Sequence, residues 1–305
     1  MKIITLITFR NEEHFLKTPI QSVANITDEV VCINDKSTDN SQKVAEELWA
    51  SVYENTHASE LGSTENEIRN SLLNLGREHN GTHFIILDAD EALSSNFENN
   101  IQLIRDLVPG QSMELQWLAM WKSLTRFKDD KSVWSNSFKD FIYCDDIRLN
   151  LTDTIFKNKD YKKHDIAWPT HPPRTPGISK VRFNRNIGAV LHFQFSNWEA
   201  FQLKQCWYRC AELIQNDGTG SEEINKKYKI TLEKSGFRTN LINKFKTKEA
   251  PQSLYKDTEF PDLDKIYDQY LWRLDQISGW FKDFGKEYFK DLNIWHVEAI
   301  KNIET

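Results

Sequence analysis

Short apolar runs alternate with segments of helical periodicity over the first hundred residues. Runs typical of buried strands cover residues 3–7, 29–34, 51–53 and 83–87. Between them, apolar residues recur at three- and four-residue spacing, most clearly over residues 64–79, as they do on one face of a helix. Strands that alternate with helices predict an α/β fold with a parallel sheet covered on both faces.

The pattern becomes less regular beyond residue 110. The stretch 168–177 holds four of the eight prolines and is predicted to be a loop, because proline suits neither a central strand nor a helix interior. From residue 196 onward the periodicity is helical, and aromatic residues are frequent. Four further strands are predicted, over residues 113–120, 141–149, 181–183 and 189–193.

These patterns divide the chain into three parts. Residues 1–110 are expected to form an α/β part, and residues 111–195 to complete the same domain. Residues 196–305 are expected to form a C-terminal helical extension. A chain of 305 residues is long enough for one large domain with such an appended lobe.

The charge balance and the lack of long apolar runs narrow the class of protein. The formal net charge of −6 disfavours a protein that binds nucleic acid by counterion release. A basic stretch over residues 226–248 is either a solvated face or a contact for a polyanionic acceptor or an anionic membrane. No run approaches the roughly 20 apolar residues of a membrane-spanning helix, and the N-terminus lacks the apolar core of a signal peptide. We therefore expect a cytoplasmic protein that touches a membrane, if at all, only peripherally.

The four cysteines do not have the spacing of a metal or redox site. They are Cys32, Cys144, Cys206 and Cys210, and none forms a Cys-x-x-Cys pair. Cys206 and Cys210 are four residues apart and share one face of the predicted helix, so we interpret them as packing residues. A cytoplasmic location would keep all four thiols reduced.

Polar side chains follow three of the predicted strands at the point where each strand ends. They are Thr8, Arg10, Asn11 and Glu12 after the first strand, Asp35 and Ser37 after the second, and Asp88 and Asp90 after the fourth. In open α/β sheets the ligand site lies at the carboxyl ends of the strands. We therefore expect these side chains to line one crevice.

The residue types at these strand ends suit a nucleotide and a metal. Mn²⁺ and Mg²⁺ prefer carboxylate and phosphate oxygens, so Asp88 and Asp90 are candidate ligands for a metal that holds a diphosphate. Asp35 can accept a hydrogen bond from a nucleobase or a ribose hydroxyl, and Arg10 can meet a phosphate. The alternatives are an acidic turn for Asp88 and Asp90, a helix cap for Asp35, and a surface ion pair for Arg10.

Four segments together resemble family 2 glycosyltransferases of the GT-A fold. They are Ile7–Leu16, Val30–Ser41, Arg69-Asn70 and Phe84–Glu91. The second segment contains Asn-Asp-Lys-Ser-Thr-Asp where the family usually has Asp-Asp-Gly-Ser-Thr-Asp. Order, spacing and placement at strand ends agree over about residues 3–95, and the resemblance weakens beyond residue 110.

The resemblance implies a Rossmann-like nucleotide-diphospho-sugar transferase fold and an inverting, metal-dependent reaction. The donor would be a nucleotide-diphosphate sugar, most often a UDP-sugar in this family, and the metal Mn²⁺ or Mg²⁺. Asp35 would contact the nucleobase, and Arg69 matches a basic position near the nucleotide. His192, in Ala189–Phe193, is similar to a histidine that joins the metal or the diphosphate in several branches of the superfamily, and Lys204 would assist the phosphates. A satisfied core histidine is the alternative for His192.

The general base that deprotonates the acceptor hydroxyl is expected from the second part of the chain. Asp145 and Asp146 are the best acidic candidates, with a solvated pair beside a strand as the alternative. His171, in the proline-rich loop, is expected to face the acceptor, or else to lie in an exposed turn. Asp165 and Glu114 are further candidates.

Other functions are open at this stage. A nucleotidyltransferase is disfavoured because residues 8–16 contain no glycine for a phosphate loop, and a dehydrogenase because no Gly-x-Gly-x-x-Gly follows the first strand. A non-catalytic nucleotide- or carbohydrate-binding protein is a third alternative. The expected acceptor is a glycan or a glycolipid, and the alternatives are a polyanionic acceptor or a hydroxylated DNA base.

Overall fold

A computed structural model of the protein describes residues 1–56, 65–130, 134–135, 137–151, 174–215, 219–229 and 246–304. The first hundred residues alternate strands and helices as predicted. The strands are β1 (Ile3–Phe9), β2 (Glu29–Asn34), β3 (Ser51–Glu54) and β4 (His83–Asp88). The helices between them are α1 (Lys17–Ser22), α2 (Ser41–Glu47) and α3 (Glu65–Glu78).

The second part adds strands, and the third part is mainly helical. The later strands are β5 (Glu91–Leu93), β6 (Gln111–Ala119), β7 (Arg126–Lys128), β8 (Ser137–Cys144), β9 (Ser179–Arg182), β10 (Ala189–His192) and β11 (Thr247–Glu249). The later helices are α4 (Gln102–Arg105), α5 (Trp198–Gln215), α6 (Ser221–Lys227), α7 (Leu263–Gln269), α8 (Leu271–Phe284) and α9 (Glu298–Lys301). None of the helices in the described part of the chain is both long and apolar enough to cross a lipid bilayer.

One sheet connects the first two parts of the chain. Its order is β3-β2-β1-β4-β8-β6-β10-β5, and β9 pairs with β6. Strands β3, β2, β1 and β4 are parallel, whereas β8 is antiparallel to β4. The carboxyl ends of β1, β2 and β4 therefore share one edge, which confirms the predicted α/β class and the sheet that the GT-A resemblance implied.

Alternate side chains of the central strands enter two separate cores. Ile4, Leu6, Phe84 and Ile86 pack with Leu72 and Leu73 of α3 on one face. Ile3, Ile7, Ile85 and Leu87 pack with Ile20 of α1 on the other. Each buried side chain of this size stabilises the fold by about 1.5–3 kcal/mol. Because both faces of these strands are buried, their sequences are continuous apolar runs.

Two sequence predictions in this region need correction. The sequence pattern of residues 95–107 predicts a helix, but the structure has a 3₁₀ turn, Ser95–Asn100, followed by the single turn of α4. The strand expected over 141–149 begins earlier and ends at Cys144. It ends there because the chain turns back beside the start of β4, where the Asp145 N–H donates to the Thr82 carbonyl at 2.9 Å.

The helical extension covers one face of the β6–β10 half of the sheet. Leu118 and Leu191 lie in the same apolar cluster as Leu203 of α5, Ile266 of α7 and Ile277 of α8. Cys206 and Cys210 also lie in this cluster, and all four cysteines are buried and unpaired. The interpretation of Cys206 and Cys210 as packing residues agrees with this burial.

Candidate active site

The loops after β1 and β2 are joined by hydrogen bonds. Asn11 and Lys36 adopt left-handed backbone conformations, with φ of 53° and 57°, which turn both loops sharply at the strand ends. The Asn11 N–H donates to Ser37 Oγ at 3.0 Å, and the Thr38 N–H donates to Asn11 Oδ1 at 2.6 Å. Asn11 and Ser37 therefore shape the predicted nucleotide crevice by holding its walls together.

Asp35 lies at the crevice edge directly after β2. Its carboxylate accepts a hydrogen bond from Asn55 Nδ2 at 2.8 Å, while Arg10 Nη1 lies 4.0 Å from its other oxygen. Thr8 pairs in register with both Ile33 and Asp88, so it stands between the ends of β2 and β4. Thr8, Arg10 and Asp35 are thus brought together as the sequence predicted.

Two arginines donate hydrogen bonds to the carboxylate of Asp88. Arg69 Nη2 donates to Oδ1 at 2.9 Å, and Arg174 Nη2 donates to Oδ2 at 2.6 Å. Arg174 also donates to both oxygens of Glu91, at 2.7 and 2.8 Å. Burial opposes the charged form of Asp88, but the guanidinium groups of Arg174 and Arg69 hold its pKa well below its usual range.

Arg174 and Glu91 were missed as site residues by the sequence reasoning. Arg174 reaches Asp88 across 86 positions of the chain, a separation that no local pattern reveals. It is delivered by the segment 174–177, whose Thr175 hydroxyl donates to Asp140 Oδ2 at 2.7 Å. The available signal was an arginine within the proline-rich stretch and an acidic residue directly after Asp90.

Asp90 is buried between a histidine and a lysine. His192 Nε2 lies 3.3 Å from its Oδ1, and Lys204 Nζ lies 3.4 Å from its Oδ2. The His192 ring stacks on Trp117 with centroids 4.2 Å apart. Burial opposes ionisation of Asp90, yet His192 and Lys204 lower its pKa, so the carboxylate stays charged. The structure thereby brings together the three predicted residues Asp90, His192 and Lys204.

Asp90 and His192 offer an oxygen and a nitrogen ligand for a divalent metal. No group of three or more His, Cys, Asp or Glu suited to a metal occurs within the described ranges. Mg²⁺ and related cations commonly bind one or two protein groups together with substrate phosphates and water, so a two-residue set fits. Asp88, also predicted as a ligand, accepts one hydrogen bond from an arginine at each oxygen, and each oxygen keeps a further lone pair.

Glu12, in the loop after β1, contacts the helical extension. Its Oε2 accepts from Gln269 Nε2 of α7 at 2.6 Å, and Arg273 Nη2 of α8 lies 4.0 Å from its Oε1. Burial raises the pKa of Glu12 to about 8, although Lys204 and Arg273 act in the opposite direction. Glu12 thus ties the β1 loop to two helices, and its role in the nucleotide pocket stays a prediction.

The structure corrects the prediction that Asp145 or Asp146 is the general base. Because β8 runs antiparallel to β4, Cys144 pairs with His83 and both aspartates lie at the opposite edge of the sheet from Asp90. Asp145 accepts from Arg77 Nη2 at 2.8 Å, and Asp146 is paired with Arg148. Neither aspartate reaches the crevice.

The remaining candidates for the base divide into two groups. Glu114 lies on β6 and accepts from Arg182 Nε at 2.8 Å. His171 and Asp165 lie outside the described residues.

The first third of the chain is similar to known glycosyltransferases. Residues 5–106 match the sequence profile of glycosyl transferase family 2. An uncharacterized glycosyltransferase of Rickettsia typhi is 32% identical over 107 residues, which are 34% of this chain and 32% of the relative. The chain therefore spans about a third of the length of this curated relative.

Two solved structures give weaker matches. Residues 1–349 of Staphylococcus aureus TarS match with a TM-score of 0.38 and 14% identity, covering 98% of this chain and 83% of that one. Glucosyl-3-phosphoglycerate synthase of Mycobacterium tuberculosis, in complex with Mn²⁺, UDP and glucosyl-3-phosphoglycerate, matches with a TM-score of 0.28 and 18% identity, covering 39% and 44%. These scores are too low to bear on the activity.

The matched range includes the aspartates of the crevice, Asp35, Asp88 and Asp90. The motifs that suggested the resemblance are thus the ones that the structure gathers at one sheet edge. Residues 5–106 of this chain are thus similar to glycosyl transferase family 2.

Proposed function

We propose that the protein transfers a sugar from a nucleotide-diphosphate sugar to a hydroxyl acceptor, with inversion at the anomeric carbon. The observation that carries the proposal is the placement of Asp35 and Asp90 at the ends of β2 and β4, on either side of β1. The Asp35 carboxylate can accept a hydrogen bond from a nucleoside. Asp90, with His192 and Lys204, can bind the diphosphate end of the same donor.

The reaction is a single displacement. The acceptor oxygen attacks the anomeric carbon from the face opposite the leaving group, the bond from that carbon to the diphosphate oxygen breaks, and its electrons leave with the nucleoside diphosphate. The acceptor proton passes to a general base. His171 and Asp165 are the residues we propose for that base.

The chain's own residues bind and orient the donor in this scheme. Asp35 accepts a hydrogen bond from the nucleoside, and its orientation is fixed by Asn55. Lys204 places a positive charge beside the departing diphosphate, which stabilises the charge that develops there. A divalent metal held by Asp90 and His192 would neutralise more of that charge.

Calorimetry with nucleotides tests the donor site. UDP is titrated first, as the commonest carrier in the family, then the other nucleoside diphosphates, with and without Mn²⁺. We expect one of them to bind, more tightly with the metal, and Asp35→Ala to weaken both this nucleotide and its nucleoside about tenfold. The exposed Asp106→Asn serves as the matched control. Affinity unchanged by Asp35→Ala would contradict the assignment of the nucleoside end.

Release of nucleoside diphosphate from the sugar donor tests turnover and separates an enzyme from a binding protein. Donor hydrolysis without acceptor should be slow and should accelerate when the acceptor is present. We propose a glycan or a glycolipid as that acceptor. Binding without any turnover, across glycan, glycolipid and hydroxylated DNA acceptors, would favour a non-catalytic protein.

A further inference from the structure

Arg273 of α8 is a buried guanidinium with unused hydrogen-bond donors. The residue is only 6% exposed, and neither its Nε nor its Nη1 has a hydrogen-bond partner among the described residues. Its Nη2 lies 4.0 Å from Glu12 Oε1, beyond hydrogen-bond distance. Buried charged groups are normally paired and hydrogen-bonded, so this arrangement is costly unless a ligand supplies acceptors.

Other unpaired donors lie around Arg273. Trp272 Nε1, Tyr270 Oη and Arg10 Nε are buried and likewise have no partner in the described part of the chain. The guanidinium of Arg273 lies 4.3 Å from the ring centroids of both Trp272 and Tyr270, and that of Arg10 lies 5.2 Å from Trp272. The rings cover the faces of these cations, while Nε and Nη1 of Arg273 and Nε of Arg10 have no acceptor among the described residues.

This cluster lies between the two ends of the proposed donor site. Arg10 is 4.0 Å from Asp35, the nucleoside end, and Lys204 is 3.4 Å from Asp90, the diphosphate end. Arg273 connects the two through its neighbours, because Trp272 also contacts Arg10 and Tyr270 also lies under Lys204. Arg273 is therefore the middle member of a continuous series of contacts that joins Asp35 to Asp90.

The local charge also calls for an anion. Arg10 and Lys204 each have an aspartate beside them, Asp35 and Asp90, whereas the carboxylate beside Arg273 is that of Glu12. Burial raises the pKa of Glu12 to about 8, so Glu12 neutralises little of this charge near pH 7. An open cleft borders the cluster, lined in part by Asn11, Gln269 and Trp272.

We propose that Arg273 binds the diphosphate of the nucleotide, with Trp272 Nε1 and Tyr270 Oη as neighbouring donors. The proposal rests on the function proposed above and adds a residue from the helical extension to the donor site. Phosphate oxygens satisfy several N–H groups at once, and a guanidinium matches their geometry.

The test compares ligands that differ only in the diphosphate. Uridine, UDP and inorganic pyrophosphate are titrated by calorimetry into the wild type, Arg273→Gln and Arg273→Lys, with Arg182→Gln as a control at an exposed arginine. We expect Arg273→Gln to weaken the binding of UDP and of pyrophosphate at least tenfold. The affinity for uridine should be unchanged. Arg273→Lys should recover part of the loss, and Arg182→Gln should behave as the wild type.

Trp272→Phe keeps the ring and removes one donor, so it provides a second test if Arg273→Gln does not fold. We expect this variant to bind UDP about threefold more weakly and to bind uridine as the wild type does. Equal losses for uridine and UDP in both variants would show a purely structural role and overturn the inference.

The remaining outcomes separate the inference from the proposed function. UDP binding that is unchanged in Arg273→Gln refutes the inference and leaves the proposed function standing. Pyrophosphate binding that depends on Arg273, without binding of any nucleoside diphosphate, supports the anion site and refutes the nucleotide-sugar function. Failure of the wild type to bind pyrophosphate and every nucleoside diphosphate refutes both.

Discussion

Buried charges at the candidate site neutralise one another residue by residue. Asp88 is held by Arg69 and Arg174, and Asp90 by His192 and Lys204. An acidic turn was the alternative for Asp88 and Asp90, and Asp90 is only 5% exposed. Such pairs keep the site preorganised for a charged ligand, and they make the loss of one partner costly.

Asp90→Asn is expected to reduce both activity and stability. We expect metal-dependent donor turnover to fall at least 100-fold, because the variant loses an anionic ligand for the metal. We expect the free energy of unfolding to fall by about 3 kcal/mol, because Lys204 is left buried without its counter-charge. Product release and urea unfolding measure the two effects.

A double variant separates the two effects of Asp90→Asn. Adding Lys204→Met removes the stranded charge and should restore much of the stability without restoring turnover. Near-normal turnover in the single variant would contradict the metal assignment.

Glu12 should make stability depend on pH. Its ordinary pKa is 4.5, and burial raises the value in the folded protein to about 8. Between these values the unfolded chain has lost the proton and the folded chain keeps it, so this stabilisation is complete below pH 4.5 and is lost as the pH rises through 8. Relative to Glu12→Gln, the wild type should lose about 1.4 kcal/mol per pH unit in this window.

Urea unfolding at pH 5, 6 and 7 measures the contribution of Glu12. The exposed Glu98→Gln variant is the control and should follow the wild-type profile. Parallel profiles for the wild type and Glu12→Gln would mean that Glu12 ionises normally in the folded protein.

At the scale of elements, the sequence predicted the parallel strands and the residues at their ends. The reason is physical: a strand buried on both faces leaves a continuous apolar run, and the polar residues that follow Ile7, Ile33 and Leu87 mark where each run ends. Arg174 and Arg273 escaped prediction because long-range packing places them. The positions of Asp145 and Asp146 were mispredicted because the direction of β8 leaves no local signal.

The segment 174–177 packs against Ser112 of β6, and a substitution at Gly177 tests this packing. A Cβ atom added there would collide with the Ser112 hydroxyl oxygen, which pairs with Thr175. We expect Gly177→Ala to lower the free energy of unfolding by about 1–3 kcal/mol, the usual cost of overpacking, and to disturb Arg174. Denaturant unfolding and nucleotide titration measure these effects.

Ser112→Gly should relieve the clash at Gly177. The double variant Gly177→Ala/Ser112→Gly should be more stable than the sum of the two single effects predicts. Simple additivity would show that the two residues do not meet in the way described.

At the scale of the whole molecule, the helical extension and the sheet share one core. Leu118 and Leu191 lose their cover without α5, and each exposed side chain of this size costs about 1.5–3 kcal/mol. Residues 1–195 expressed alone should therefore aggregate or unfold without cooperativity. Gel filtration and thermal unfolding by circular dichroism test this, with the full chain as control. A cooperatively folded fragment that binds nucleotide with full-length affinity would contradict it.

The burial of all four cysteines makes the native protein unusually convenient for labelling. Burial raises the pKa of Cys206 to about 12 and that of Cys32 higher still, and only the thiolate form reacts readily. Maleimide dyes should therefore not react with the folded chain. The rate at which they label the cysteines should measure how often the chain unfolds. A single cysteine engineered on the crevice rim would accept a fluorophore selectively, so that ligand binding can be followed by fluorescence with every native cysteine in place.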